Sequence, residues 1–297
     1  RAWQHLGDDL FNDIRRHHTG VQHNRLPRAV EQAATGIQAV DAAIRGLYET
    51  GYMHNHLRMY VASITCNVAK AYWQLPSRWM YYHLLDGDLA SNTGNWQWVA
   101  GTFNGRTYYC NQDNINRFTL SAQQGTFLDR SYEELRSAPI PAPLQDTLVP
   151  PLTSRLPQTG SLSLDPSLPL LLYNSYNLDP RWRAGQPANR VLLLEPSHFR
   201  QFPVSERVIR FLLDLAANVE GLQVFTGEVQ EIPGLAQFPA IYSREHPAFT
   251  HYPGIRDPRD WIFPSVQGFY SSFFAYWKKC ESLLAKKEVR SAVAEQA

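Results

Sequence analysis

In the first half of the chain, apolar residues return every three or four positions. Ile37, Val40, Ile44, Leu47 and Tyr48 share one side of a helix at this spacing, and Gly51 offers its C-terminal stop. A second helix is predicted from about His54 to Tyr72, with Leu57, Val61, Ile64 and Val68 as its buried stripe. Ser77, following Pro76, reads as the N-cap of a third that reaches towards Leu85. A short tryptophan-rich helix is expected at Ser91 to Ala100.

Beyond a stretch holding Pro139, Pro141, Pro143, Pro150, Pro151, Pro157, Pro166 and Pro169, the pattern changes. Proline has no amide donor for helix or sheet, so this stretch predicts a linker laid over a surface. Leu168 to Tyr173, Val191 to Leu194 and Leu222 to Phe225 are short apolar runs of strand length. Val204, Val208, Leu212, Leu215 and Val219 mark an amphipathic helix before the last of them. Strand, helix, strand at this spacing predicts a parallel sheet. The expected organisation is a helical unit over residues 1–137, a linker over 138–168 and a small α/β unit over 169–297. That unit closes with a helix from Tyr270 to Leu284 and a polar tail.

Composition narrows the function classes. With 28 basic against 27 acidic residues, no overall field marks a nucleic-acid partner, although a local basic groove is compatible with these totals. Three cysteines, Cys66, Cys110 and Cys280, provide neither a disulfide framework nor the spacing of a zinc site. His17, His18 and His23 lack an acidic or thiolate partner at useful spacing and read as a solvated loop, so no metal is expected. No apolar run reaches membrane-span length and no secretory signal is visible, which predicts a cytoplasmic protein.

The candidate chemistry lies between Gly51 and Gly101. Asn55, Arg58, Met59 and Ala62 fall on one helix face, apart from the apolar stripe. A solvated face is the plain alternative. Asp86 and Asp88 flank Gly87, which a surface turn would also explain. Asn92 and Trp96 follow at intervals of four and line up if the segment is helical.

Together these segments resemble the FAD-binding domain of the photolyase/cryptochrome family. The resemblance runs from about Thr35 to Thr102 through Val40-Asp-Ala-Ala-Ile44, Gly51-Tyr-Met-His-Asn55, Arg58-Met59 and Asp86 to Gly101. It continues more loosely through Asn111 to Arg117 and on to Asp129. The implied architecture is an all-α FAD-binding domain of photolyase type followed by a small α/β domain. By this resemblance Asn55, Arg58, Asp86, Asp88 and Asn92 would hold the flavin, with Arg58 over the ring system and paired to Asp86. Trp96 and Trp73 would carry electrons to it. His56, Met59 and Gln124 would lie on the side where DNA is approached. Asn92 at the flavin N5 leans towards repair, since plant cryptochromes carry Asp there.

The chain also departs from the family. The outer member of the tryptophan chain is missing, which leaves Tyr52, Tyr72, Tyr81, Tyr82 or another Trp as the electron exit. The diphosphate-binding Thr-Ser-x-Leu-Ser-Pro loop and the Glu-x-x-Trp-Arg-Glu-Phe helix are not found before Thr35, leaving Arg15, Arg16, Arg25 or a helix N-terminus for the phosphates. Thr153-Ser-Arg-Leu-Pro157 resembles the loop but falls in the linker. Leu170 to Val229 looks like the start of the family's α/β domain in a permuted position, with Ser175-Tyr-Asn-Leu-Asp179 in place of its Arg-Asp-Leu-Arg signature. An unrelated βαβ domain is the alternative. The expected function is a deoxyribodipyrimidine photolyase-like enzyme acting on pyrimidine dimers in DNA, with no antenna pigment specified. A cryptochrome-like photoreceptor and a flavin-free relic are the other readings.

Overall fold

The computed structural model describes residues 2–294 apart from Asn104 and Ser271, and apart from the side chains of residues 285–294. It opens with α1 (Ala2–Leu6), a 3-10 turn (Gly7–Phe11), the short strand β1 (Leu26–Pro27) and α2 (Arg28–Glu31). The helical half continues with α3 (Gln38–Thr50), α4 (Asn55–Ser63), α5 (Gln74–His83), α6 (Leu89–Ala100), α7 (Gln112–Thr119) and α8 (Tyr132–Ser137). Val40, Ile44 and Leu47 of α3 are buried against Tyr60, Ile64, Trp73, Trp79 and Trp96. A fully buried side chain of this size contributes about 1.5–3 kcal/mol by leaving water. Gly51 caps α3 at φ 74°, donating to the Leu47 carbonyl over 2.9 Å. A Cβ there would stand 2.4 Å from Leu85 Cγ, so the position requires glycine both for conformation and for space.

Two predicted helices differ in their bounds. The second stops short of Tyr72: α4 widens into a π turn at Ile64–Val68, and Lys70 takes φ 59°. The chain turns there because its backbone is claimed by a neighbouring segment. Gln22 N–H donates to the Lys70 carbonyl and Tyr72 N–H to the His23 carbonyl, each over 2.8 Å. The third helix starts at Gln74, so Ser77 is an interior residue whose hydroxyl donates to the Gln74 carbonyl. Pro76 is tolerated because it lies in the first turn, where amides lack intrahelical partners.

The proline-rich stretch is anchored at several points. Leu144 is fully buried, and β2 (Thr147–Leu148) pairs antiparallel with β1. The Ser154 hydroxyl accepts from Val204 N–H and donates to the Val204 carbonyl. Farther along, the Pro157 carbonyl accepts from the Thr226 hydroxyl.

After it come β3 (Leu170–Tyr173), β4 (Asn189–Leu194), α9 (Pro196–Gln201), α10 (Glu206–Ala216), β5 (Leu222–Thr226), β6 (Ile241–Arg244), β7 (Ile255–Asp257) and α11 (Phe273–Ala294). The strands form one sheet in the order β5-β4-β3-β6-β7, every pair parallel. All four residues of β3 are buried, as expected for a central strand covered on both faces. Strands β6 and β7 are not legible as apolar runs, since Ile241-Tyr-Ser-Arg244 and Ile255-Arg-Asp257 are half polar. The last helix passes Leu284, so the polar tail is helical through Ala294.

One face of the sheet is covered by elements from the start of the chain and from the helical half. Trp3, Leu10, Tyr81 and Leu89 share a core with Leu171, Tyr173, Phe199, Phe202, Val208 and Leu212. Among the described residues, no helix is long and apolar enough to cross a membrane.

Candidate flavin edge and its tryptophans

The start of α4, after His54, carries four of the expected residues, Asn55, His56, Arg58 and Met59. The His54 ring accepts from His56 N–H and caps the helix. Asn55, at the first helical position, is exposed. One turn on, Arg58 Nε donates to the Met53 carbonyl over 2.7 Å, and its Nη2 reaches both carboxylate oxygens of Asp86 at 2.8 Å. Only 15% of the Arg58 side chain is exposed, against 52% for Asp86. The cation is thus mostly desolvated, with its charge answered and the partner carboxylate facing outward. Tyr52 lies beneath the guanidinium at 5.7 Å and is itself exposed. Met59 packs on the helical core, while His56 stands 4.9 Å from the Phe118 ring on the outer side.

Asp88 and Asn92 belong to α6. Asp88 is its N-cap, accepting from Ser91 N–H at 2.7 Å, a use of the carboxylate that the DxD pattern alone does not disclose. Asn92 donates its amide to the Ser77 carbonyl over 2.9 Å and lines a cavity of about 20 Å³ with Trp73, Gln74, Ser77, Arg78 and Phe202. Gln124 is exposed at the end of the segment after α7. Its neighbour Gln123 fastens that segment to Gln38 and Gly36.

Trp96 and Trp73 are both buried in the helical core. Trp96 Nε1 has no acceptor among the described residues, whereas Trp73 Nε1 donates to Asp13 Oδ1 over 2.8 Å. Trp79 is buried in the same core, whereas Trp98 is 37% exposed. It lies on the opposite side of α6 and rests against Tyr108, so it does not fill the core.

Asp13 is the principal residue that the sequence pattern missed. Besides Trp73 it accepts from the Tyr72 hydroxyl at 3.0 Å and from His18 N–H at 3.0 Å. Gln97 fixes its loop by donating to the Leu10 carbonyl and accepting from Ile14 N–H, and Gln74 donates to the Phe11 carbonyl. A lone Asp in an irregular segment carries no periodic signal, and only the tertiary fold brings it to the indole. The solvated-loop reading holds for His17, which is fully exposed, and is corrected for His18 and His23, which are partly buried. His17 Nδ1 stands 3.7 Å from Asp13, and burial pushes His18 down to about 4. Among the described residues no cluster suited to a metal ion is formed.

The donor set fits the polar edge of an isoalloxazine. Asn55, Asp86 and Asp88 leave amide and carboxylate groups exposed beside a charge-compensated Arg58, and Tyr52 adds an aromatic face. The arginines expected to meet the phosphates have other contacts. Arg25 donates to the Thr147 hydroxyl and carbonyl, Arg15 lies over Phe103, and Arg16 packs against Gly105.

The carboxylate-paired Arg58 on α4 and the tryptophan-bearing α6 lie in one helical segment. Residues 3–149 match the family described as the FAD binding domain of DNA photolyase. This segment is a FAD-binding domain of the photolyase/cryptochrome family, and its cofactor is FAD. It is 39% identical over 107 residues to the deoxyribodipyrimidine photo-lyase of Vibrio cholerae, covering 36% of this chain and 23% of that protein. It is 45% identical over 74 residues to the Streptomyces griseus enzyme of the same name, covering 25% and 16%. Among solved structures, an archaeal photolyase from Sulfolobus tokodaii with two FAD molecules is 33% identical over 31% of this chain and 22% of that one, with a TM-score of 0.30. A Synechocystis cryptochrome is 32% identical over 40% and 24%, also at 0.30. The chain spans under a quarter of the length of the Vibrio and Streptomyces relatives.

Proposed function

We propose that this chain is a blue-light-activated FAD protein of the deoxyribodipyrimidine photolyase type, acting on pyrimidine dimers in DNA. The observation that carries the reading is the fork between Arg58 and Asp86, set beside Asn55 and Asp88 within the segment that matches the FAD-binding family. The names of the curated relatives support the reaction class. The helical unit of residues 1–137 holds the flavin, and the sheet-bearing unit follows it in a permuted order across the strap of residues 138–168.

Bound and reduced, FAD supplies the photoexcited electron that splits the cyclobutane ring of a dimer. The chain's own residues orient and tune. Arg58, held by Asp86 and by the Met53 carbonyl, presents fixed positive charge to the ring system without the cost of an unpaired buried cation. Asn55 and Asp88 meet polar groups at the ring and ribitol edge. Asn92 offers a neutral amide at N5, which imposes no charge there. Trp96 and Trp73 provide oxidisable indoles in a water-free core. His56 and Met59, with Gln124 farther out, face the substrate, which must leave the base stack to approach.

The test is an absorption spectrum of purified protein in the dark and under blue light, followed by addition of a dimer-containing oligonucleotide. Flavin bands that bleach, with loss of dimers, are expected. A colourless protein sinks the proposal. Bleaching with dimers intact turns the assignment to a cryptochrome-like photoreceptor.

A further inference from the structure

We infer that Tyr72 is the outer electron donor of the tryptophan path and that Asp13 takes its proton. The inference rests on the flavin reading above and names the part of that site which replaces the missing third tryptophan.

Four tyrosines near the tryptophans could fill the role, and their hydroxyl partners separate them. The Tyr82 hydroxyl donates to the Thr153 carbonyl, and Tyr81 shares its hydroxyl with Tyr176. Neither a peptide carbonyl nor a phenol is a useful proton acceptor. Tyr52 is 54% exposed and lies under Arg58, whose positive charge opposes the loss of an electron. Tyr72 donates to a carboxylate. Its ring centroid is 5.7 Å from that of Trp73, and both side chains hydrogen-bond the same atom, Asp13 Oδ1.

The shared carboxylate acts on both rings. Its negative charge stabilises a positive hole on Trp73, which draws the hole outward from Trp96. It also makes the next transfer possible, because an oxidised phenol is a strong acid and must lose its proton. The hole on Trp73 is filled by one electron from Tyr72 while the phenolic proton moves along the 3.0 Å hydrogen bond to Asp13. The products are neutral Trp73, a neutral tyrosyl radical and protonated Asp13, so charge and protons balance. Burial, and then the bond to Asp13, push the Tyr72 phenol up to about 12. It therefore starts as a neutral phenol, and electron and proton leave together. Asp13 is only 12% exposed, which keeps the accepting carboxylate out of bulk water. The clamps from Gln97 and Gln74 and the bond from His18 N–H keep the acceptor oxygen in place.

The experiment is flash photolysis of the flavin-loaded protein with electron paramagnetic resonance of the trapped radical, using ring-deuterated tyrosine to identify it. Wild type should yield a tyrosyl signal with a solvent deuterium effect. Tyr72→Phe should leave the radical on tryptophan and slow stable photoreduction by about tenfold. Asp13→Asn keeps an acceptor of similar shape but cannot take the proton, and should remove the tyrosyl signal while tryptophan oxidation persists. A second arm uses flavin-free protein and a ruthenium photo-oxidant. There the wild-type tyrosyl signal should fall in Tyr72→Phe and remain in Tyr132→Phe. If wild type binds no flavin, the functional proposal fails and the second arm still judges the Tyr72–Asp13 pair. A tyrosyl signal that survives Tyr72→Phe, or a wild-type radical confined to tryptophan, would overturn the inference.

Discussion

Arg58 and Asp86 stand 28 residues apart in the chain, yet one guanidinium nitrogen touches both oxygens of the carboxylate at 2.8 Å. One end of this pair is buried and the other faces solvent. Its two ends therefore differ in what their loss should cost.

Asp86→Asn removes the exposed end. It leaves the mostly buried Arg58 without its counter-charge, so urea unfolding should show a loss of about 1–3 kcal/mol. Flavin retention should fall by at least about tenfold, equal to about 1.4 kcal/mol of binding, because the charge presented to the ring is no longer balanced. Equilibrium dialysis measures this, and unaltered retention would remove Asp86 from the flavin edge.

Trp96→Phe separates packing from electron transfer. Since Trp96 Nε1 finds no partner among the described residues, the substitution costs volume and no hydrogen bond, about 1–3 kcal/mol. Photoreduction of bound flavin should drop by more than about tenfold. Trp98→Phe, at a 37% exposed position, should shift stability by no more than about 0.5 kcal/mol and leave photoreduction as it was. Equal kinetics in the two variants would refute the assigned path.

Gly254→Ala tests the edge of the sheet. Gly254 has φ 84°, and a Cβ there would lie 2.2 Å from the Ile241 carbonyl oxygen in β6. Backbone in a parallel ladder cannot retreat cheaply. We expect a loss of about 3 kcal/mol or more, read as a lowered urea midpoint. A midpoint within error of wild type would refute the close approach of Gly254 to the β6 backbone.

Stability should decline as pH falls below the ordinary histidine range. Burial lowers His18, His83, His198 and His246 from 6.5 to about 4. Each is depressed in the fold, so the unfolded chain takes up protons first. Stability is full above 6.5 and is lost progressively between 6.5 and about 4. Unfolding free energies measured from about pH 8 to about pH 5 should fall with a slope of more than one proton. His198→Asn should flatten the profile, and a level profile in wild type would count against these burials.

Much of this was legible in the chain, and the remainder has physical reasons for being hidden. Helix α3 and its glycine cap follow from periodicity and one residue's conformational freedom. Strands β3, β4 and β5 are apolar enough to read directly. Strand β7 escapes notice because it is an edge strand, where Arg256 and Asp257 are tolerated, and β6 because Ser243 and Arg244 interrupt its apolar run although it pairs on both sides. One of these, Asp257, is bound by Arg183 and the Trp182 indole, pairings that no local pattern announces. At the candidate site, Arg58 and Asp86 were expected together and are found so. The cap made by Asp88 and the carboxylate of Asp13 depend on backbone direction and on a loop clamped by Gln97, which spacing cannot encode.

The core shared between Trp3, Tyr81 and Leu89 on one side and Tyr173 and Phe202 on the other bears on how the molecule can be divided. A protease cut within the strap would leave two products that each bare an apolar face. Such halves should be insoluble apart and recover only when expressed together. The strap can be severed more easily than the pieces can be separated.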